Sequence, residues 1–216
     1  MKKVFLIVVI MLLPLVSNKN VFAKDLSNHI GISVYGGASL PTNGNNQNSV
    51  KATDWLSAGP QFGVGINYFI TEGFGFEALY NYGYNEYKDK YKLGYKEPYI
   101  SNNSFSIIGV YNFGHLLNES IISPIARAGA GLYYWRHFEE YGDKIIKINN
   151  EELKGTSFGF NIGLGVDFNI ISNLTAGIIV DYNMYFPKDD KKFGKDFAEQ
   201  GYLTPQLKVS YLLPLK

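Results

Sequence analysis

From about residue 29 to residue 213 the chain alternates bulky apolar residues with small or polar ones. The clearest run is SFGFNIGLGVDFNIISNLTAGIIVDYNMYF, residues 157–186. In its first half one set is Phe158, Phe160, Ile162, Leu164, Val166 and Phe168, and the other is Ser157, Gly159, Asn161, Gly163, Gly165 and Asp167. Successive side chains of a strand point to opposite sides, so a period of two predicts β-structure with two unlike faces. The alternation recurs eight times, over roughly residues 29–41, 58–70, 74–84, 103–113, 124–136, 157–168, 174–186 and 203–213, which predicts eight antiparallel strands.

The connections alternate in length. Those after the second, fourth and sixth strands are brief (TEG, GHLLNESIIS, NIISN), whereas those after the first, third, fifth and seventh run to about fifteen residues or more. One end of the sheet therefore carries turns and the other carries loops, as in an outer-membrane barrel with an even strand number. A soluble eight-stranded barrel of the lipocalin type is the competing architecture, with its apolar face turned inward.

Side-chain size separates the two. The interior of an eight-stranded barrel is only just wide enough for side chains to fill it, and three Phe from one strand would overfill it, whereas Gly, Ser and Asn fit. A water-facing exterior rich in Gly would weaken the strands with no packing in return. The bulky face is thus predicted to point outward into lipid, which a closed barrel tolerates because its backbone polar groups are all paired between strands. Aromatic residues fall into two predicted girdles: Tyr68, Phe74, Phe113, Phe168 and Tyr211 near the turns, and Phe62, Tyr82, Tyr84, Phe105, Tyr134, Phe158, Phe160 and Phe186 near the loops.

The N-terminal residues add a compartment. Lys2 and Lys3 precede an apolar run from Val4 to Val16 broken by Pro14, and Val21-Phe22-Ala23 offers small residues at the positions a signal peptidase reads. The expected division is a signal peptide over residues 1–23, cut between Ala23 and Lys24, followed by a barrel domain over residues 24–216. The apolar run falls short of the roughly 20 residues a membrane helix needs. With no cysteine in the chain, neither a disulfide nor thiolate chemistry is available. Without Lys2, Lys3 and Lys19 the chain holds 17 basic and 19 acidic residues, a charge of about −2 that argues against nucleic acid as a partner.

Five charged residues fall on the inward face, each from a different strand: Glu77, Arg127, Asp167, Asp181 and Lys208. A buried charge is costly unless paired, so two cations among three carboxylates predict a network that plugs the lumen. The GxG pairs Gly63/Gly65, Gly129/Gly131 and Gly163/Gly165 lie inside strands and do not complete a nucleotide-binding loop. His29, His115 and His137 are too scattered for a metal site, and no nucleophile is spaced to use one of them as a base. Neither cofactor, metal nor enzymatic activity is expected.

The stretches GVGINYFITEGFGFEALYNY (63–82), PIARAGAGLYYW (124–135) and NIGLGVDFNIISNLTAGIIVDYN (161–183) resemble the small outer-membrane β-barrel domain proteins that include opacity-type surface antigens. They share a Gly-rich strand ending in an aromatic, a short turn, then a strand with an acidic residue and a Tyr. The resemblance spans essentially all of residues 24–216. It implies a closed, up-and-down, eight-stranded transmembrane barrel in the outer membrane with both mature termini in the periplasm. The partners it implies are outer-membrane lipid and lipopolysaccharide, the barrel assembly machinery during biogenesis, and a host or matrix ligand held by the loops. The loop holding Tyr84, Tyr87, Tyr91, Tyr95 and Tyr99 has the make-up of a recognition surface, but the leading reading is a solvated hairpin lying over lipopolysaccharide sugars, ahead of a specific adhesin. The expected role is a surface barrel for envelope structure or adhesion; porin-like passage of small or hydrophobic solutes is the alternative.

Overall fold

A computed structural model describes residues 26–45, 50–92, 94–117, 121–140, 144–148, 150–187 and 199–215. Eight long strands form one closed barrel: β1 (His29–Asn43), β2 (Gly59–Phe69), β3 (Phe74–Glu86), β4 (Tyr99–Asn112), β5 (Ile122–Phe138), β8 (Lys154–Ile171), β9 (Leu174–Tyr185) and β10 (Gln200–Pro214). A two-stranded hairpin, β6 (Lys147–Ile148) and β7 (Glu151–Glu152), decorates the loop between β5 and β8, and a short helix α1 (Ala52–Trp55) lies between β1 and β2. Every neighbouring pair in the barrel is antiparallel, and β1 closes the ring on β10 from His29↔Pro214 to Asn43↔Gly201.

The two faces are sorted as their volumes require. Exposure on β2 alternates residue by residue from Gln61, which is buried, to Phe62, which is 58 % exposed. On β8 Ile162 and Leu164 are over 60 % exposed, while Asn161 between Phe160 and Ile162 is buried. The bulky apolar set is the outer surface of the barrel and the small and polar set is its interior. Glycine makes room where the tube is narrowest: Gly163 lies directly opposite Asp181, and Gly177 opposite Asp167, and a Cβ at either glycine would collide with that carboxylate.

The strands outrun the predicted segments mostly at the long-loop end. β3 continues to Glu86, β5 to Phe138, and β4, β8 and β10 begin at Tyr99, Lys154 and Gln200. Outward apolar alternation stops earlier, but the inward residues Ile100, Trp135 and Tyr202 still find a core, so pairing persists beyond the apolar band. At the other end β4 stops one residue sooner than predicted. The Asn112 side chain accepts a 2.7 Å bond from Gly114 N, capping a tight turn over Phe113–Leu116.

Candidate functional site

Two regions occupy the axis of the barrel. Nearer the turns, Arg127 of β5 reaches both Glu77 of β3 (Nη2 to Oε2, 2.9 Å) and Asp181 of β9 (Nε to Oδ1, 3.3 Å), with all three side chains almost fully buried. Tyr35 donates to the other Glu77 oxygen, its ring 5.6 Å from the guanidinium, and Gln206 Nε2 donates to Asp181 Oδ2 at 3.3 Å. Lys208 pairs separately with Asp167 at 2.7 Å. The five predicted lumen charges thus resolve into a triad and a pair. Three strands are tied across the lumen by one guanidinium, whose planar fork suits two carboxylates at once.

An apolar layer accompanies the charges. Leu79, Ile108, Val110, Ile125 and Ile179 point inward and pack together with Tyr35. Ile179 falls in the inward set of the alternation, but the sequence pattern did not distinguish an apolar plug from a polar lining. Among the described residues two lumen cavities are small, one beside Asn67, Ser123 and Lys208 and another beside Gln61, Asn81 and Asn183, each of about 30 Å³.

The second region is a cap over the loop end. Trp55 of α1, Leu56, Tyr87, Ile100, Trp135, Ile146, Leu153, Tyr185 and Tyr202 share one core. Lys88 N donates to Trp55 O (2.9 Å), and Ile146 N donates to His137 O (2.9 Å), so the first and third long loops are sewn onto β3 and β5. His137 sits in the middle, stacked on Trp55 (5.9 Å between centroids), edge-on to Trp135 (5.8 Å), with Nδ1 2.5 Å from Tyr87 Oη. Beneath it Tyr133, Tyr185 and Tyr202 form a stack, and Tyr185 donates to Asn102 Oδ1 at 3.0 Å. On β5 the last exposed outward ring is Tyr134, followed on the same face by Arg136 and the covered Phe138, so His137 stands beyond the apolar band. Burial pushes its pKa down to about 3 and raises that of Tyr87.

This cap corrects one expectation. Tyr87 and Tyr99 are buried, at 8 % and 7 % exposure, and belong to the fold of the loop end instead of its recognition surface. Tyr91 and Tyr95 pack against the cap from outside, half-buried. The signal was available in the loop sequences, where Trp55, Leu56, Ile146 and Leu153 interrupt otherwise polar runs.

The girdle residues Tyr68, Phe74, Phe113 and Tyr211 at the turn end, and Phe62, Phe105, Tyr134 and Phe158 at the loop end, are exposed. Phe168, Tyr82 and Phe186 are partly covered by neighbours. Phe76, Tyr80 and Tyr111 join them on the outer surface. Ala23 and Lys24 lie outside the described residues. His29 Nδ1 contacts Ser27 O and His115 Nδ1 contacts Asn112 O, each within its own turn. Among the described residues no three His, Asp or Glu side chains are grouped to hold a metal ion.

A closed ring of strands with an apolar outer band, aromatic at both edges, and a charged, filled lumen defines a transmembrane β-barrel. Its family follows from sequence: the chain belongs to the outer membrane protein β-barrel domain family, whose model matches residues 13–204, and its place is the outer membrane. No curated protein matches it. Solved structures share the fold at low identity. OprG from Pseudomonas aeruginosa is 14 % identical with a TM-score of 0.57, covering 89 % of this chain and 99 % of its own. Neisserial surface protein A is 12 % identical at 0.56, covering 86 % and 97 %. Ail, the attachment invasion locus protein of Yersinia pestis, solved with the heparin analogue sucrose octasulfate, is 15 % identical at 0.52, covering 87 % and 99 %.

Proposed function

We propose that this protein is a sealed, non-enzymatic surface barrel whose work is done by the capped loop end, in envelope structure or attachment. The orientation is that of its class, with short turns and both mature termini in the periplasm and the long loops outside. The observation that carries the reading is the double closure of the axis. The Arg127 triad with its apolar layer fills the turn-side half, and the Trp55–His137–Trp135 core covers the loop-side mouth. A solute would have to break both, whereas a binding surface needs only the rigid rim that the cap provides. The exposed side chains of Lys88, Lys90, Lys96 and Glu97 supply such a rim, and an anionic glycan of the kind seen with Ail is one class of ligand for it.

The test is conductance of the refolded protein in a planar bilayer, wild type beside Arg127→Ala. Silence of the wild type is expected; stable channels in it would overturn the scaffold reading and favour solute passage. The recognition half is tested by replacing residues 89–97 with a short Gly/Ser linker. That trimming spares Tyr87, Tyr99 and Ile100, which the cap core needs, and it should abolish attachment while the barrel still folds.

A further inference from the structure

The outer wall of the barrel is uneven along β5. Three consecutive outward residues of β5 are small, Ala126, Ala128 and Ala130, and Gly109 is the outward neighbour of Ala128 on β4. On the other side Ile162 and Leu164 stand well out from the wall. Between the tall side chains runs an open apolar trough of about 720 Å³, walled also by Phe74, Tyr111 and Tyr182.

Two cations stand further towards the loop end on the same face. Arg136 of β5 and Lys154 of β8 are direct cross-strand partners. Like charges placed opposite one another destabilise a strand pair. Glu152 pairs with Lys154, but among the described residues no carboxylate reaches Arg136. The guanidinium instead lies over two rings, 4.9 Å from the centre of Tyr134 and 5.2 Å from that of Phe138, and its Nε is buried with no hydrogen-bond partner. A fixed, incompletely satisfied Arg beside a Lys is a site for a phosphate, which accepts from both and relieves their repulsion.

The vertical spacing fits a single ligand. From Ala128 to Tyr134 the strand rises about 20 Å, or about 15 Å along the membrane normal at the usual tilt, which is one leaflet of hydrocarbon. We infer that this face binds one phosphorylated, multiply acylated glycolipid of the outer leaflet, with a phosphate on Arg136 and Lys154 and an acyl chain in the trough over Ala128 and Ala126. The inference rests on the proposed orientation, because only then do the cations lie at the outer surface. Charge complementarity selects this occupant over a second copy of the chain, which would bring the same two cations against themselves.

The experiment is native mass spectrometry of the full, refolded barrel released from detergent micelles that contain bis-phosphorylated, hexa-acylated lipid A. Its competitors are the lipid with one phosphate removed and phosphatidylglycerol. The wild type should retain one lipid A, at least tenfold more strongly than either competitor. Arg136→Gln with Lys154→Gln should lose tenfold or more by removing the phosphate site, and Ala128→Phe should lose a similar factor by filling the trough. Heat-modifiable migration on gels checks that each variant is folded. Equal retention by wild type and variants overturns the site, as does equal retention of the competitors. A lipid-free dimer abolished by Ala128→Phe also overturns it and makes the trough a contact between copies. Protease access to the long loops in intact cells is read alongside. Loops inside the cell, with phosphatidylglycerol preferred, would mean that the orientation has failed; loops outside with no selective retention would mean that this site alone has failed.

Discussion

The turn-side lumen and the loop-side cap both close the same tube, but with opposite chemistry. The lumen uses ions: one guanidinium serves two carboxylates, and a Lys serves a third. The cap uses rings, with Trp55, Tyr87, His137 and Trp135 packed around one another and tyrosines stacked below. The difference follows from what each region can bury. Inside the membrane the wall presses inward from all sides with backbone already paired, leaving slots a glycine opens and a charged side chain fills, as at Gly163 and Asp181. Beyond the membrane no lipid holds the strands together, and burial of large apolar surface must do so. A charged plug specifies which strands face each other across the axis; an aromatic cap supplies cohesion. Each region should therefore fail in its own way.

The largest effect is expected from breaking the plug. Arg127→Ala leaves Glu77 and Asp181 buried without their counter-charge, and should cost about 3–5 kcal/mol. The urea midpoint of refolding into lipid vesicles reads it. The triple variant Glu77→Gln, Arg127→Met, Asp181→Asn removes all the charge at once and should recover most of that loss, because no ion is left unpaired. A triple variant as unstable as Arg127→Ala would show that the triad contributes net stability and not only specificity.

Next comes Trp55→Ala, which empties the centre of the cap. Truncating a buried Trp costs about 3–5 kcal/mol, but here the loss should fall on docking of the first loop. Proteolysis between α1 and β2, and at the end of β3, should accelerate by two orders of magnitude or more while the urea midpoint of the barrel barely moves. A parallel fall in that midpoint would mean that cap and barrel form one cooperative unit, and the division drawn above would be lost.

The two regions were unequally legible from sequence. Period-two alternation with oversized outward residues identified the barrel, its strand number and its inside, because side-chain direction in a strand follows from covalent geometry alone. The five lumen charges followed from the same parity. Their partition into a triad and a pair did not, since it depends on register around a closed ring: Gly163 must face Asp181 for Arg127, beside Gly163 on the next strand, to reach it. The cap was missed for a different reason. Trp55 and Tyr87 lie in loops without periodicity, and nothing local tells a buried loop tyrosine from an exposed one; Tyr87 and Tyr99 proved to be core, Tyr91 and Tyr95 its outer packing. The extra strand length at the loop end went unseen with it, because pairing there is sustained by those same contacts.

The finest probe of the comparison is pH, since the cap holds a histidine whose charged form is disfavoured by burial. His137 is neutral when the cap is closed, with its pKa down at about 3, and returns to its ordinary value near 6.5 when the cap opens into water. Above pH 6.5 neither state takes up a proton and closure is insensitive to pH. Below it the open state binds a proton that the closed state refuses, so closure weakens by about 1.4 kcal/mol per unit, or about 2 kcal/mol by pH 5. Amide hydrogen exchange at Lys88 and Ile146, whose backbone N–H groups sew the loops to the strands, corrected for the intrinsic pH dependence of exchange, should report about thirtyfold more opening at pH 5 than at pH 7.5. In His137→Gln, which keeps a polar partner for the Tyr87 hydroxyl without titrating, the corrected opening should be flat. A wild type as flat as the variant would mean that His137 keeps its environment when the loops are released, placing it with the barrel and not with the cap.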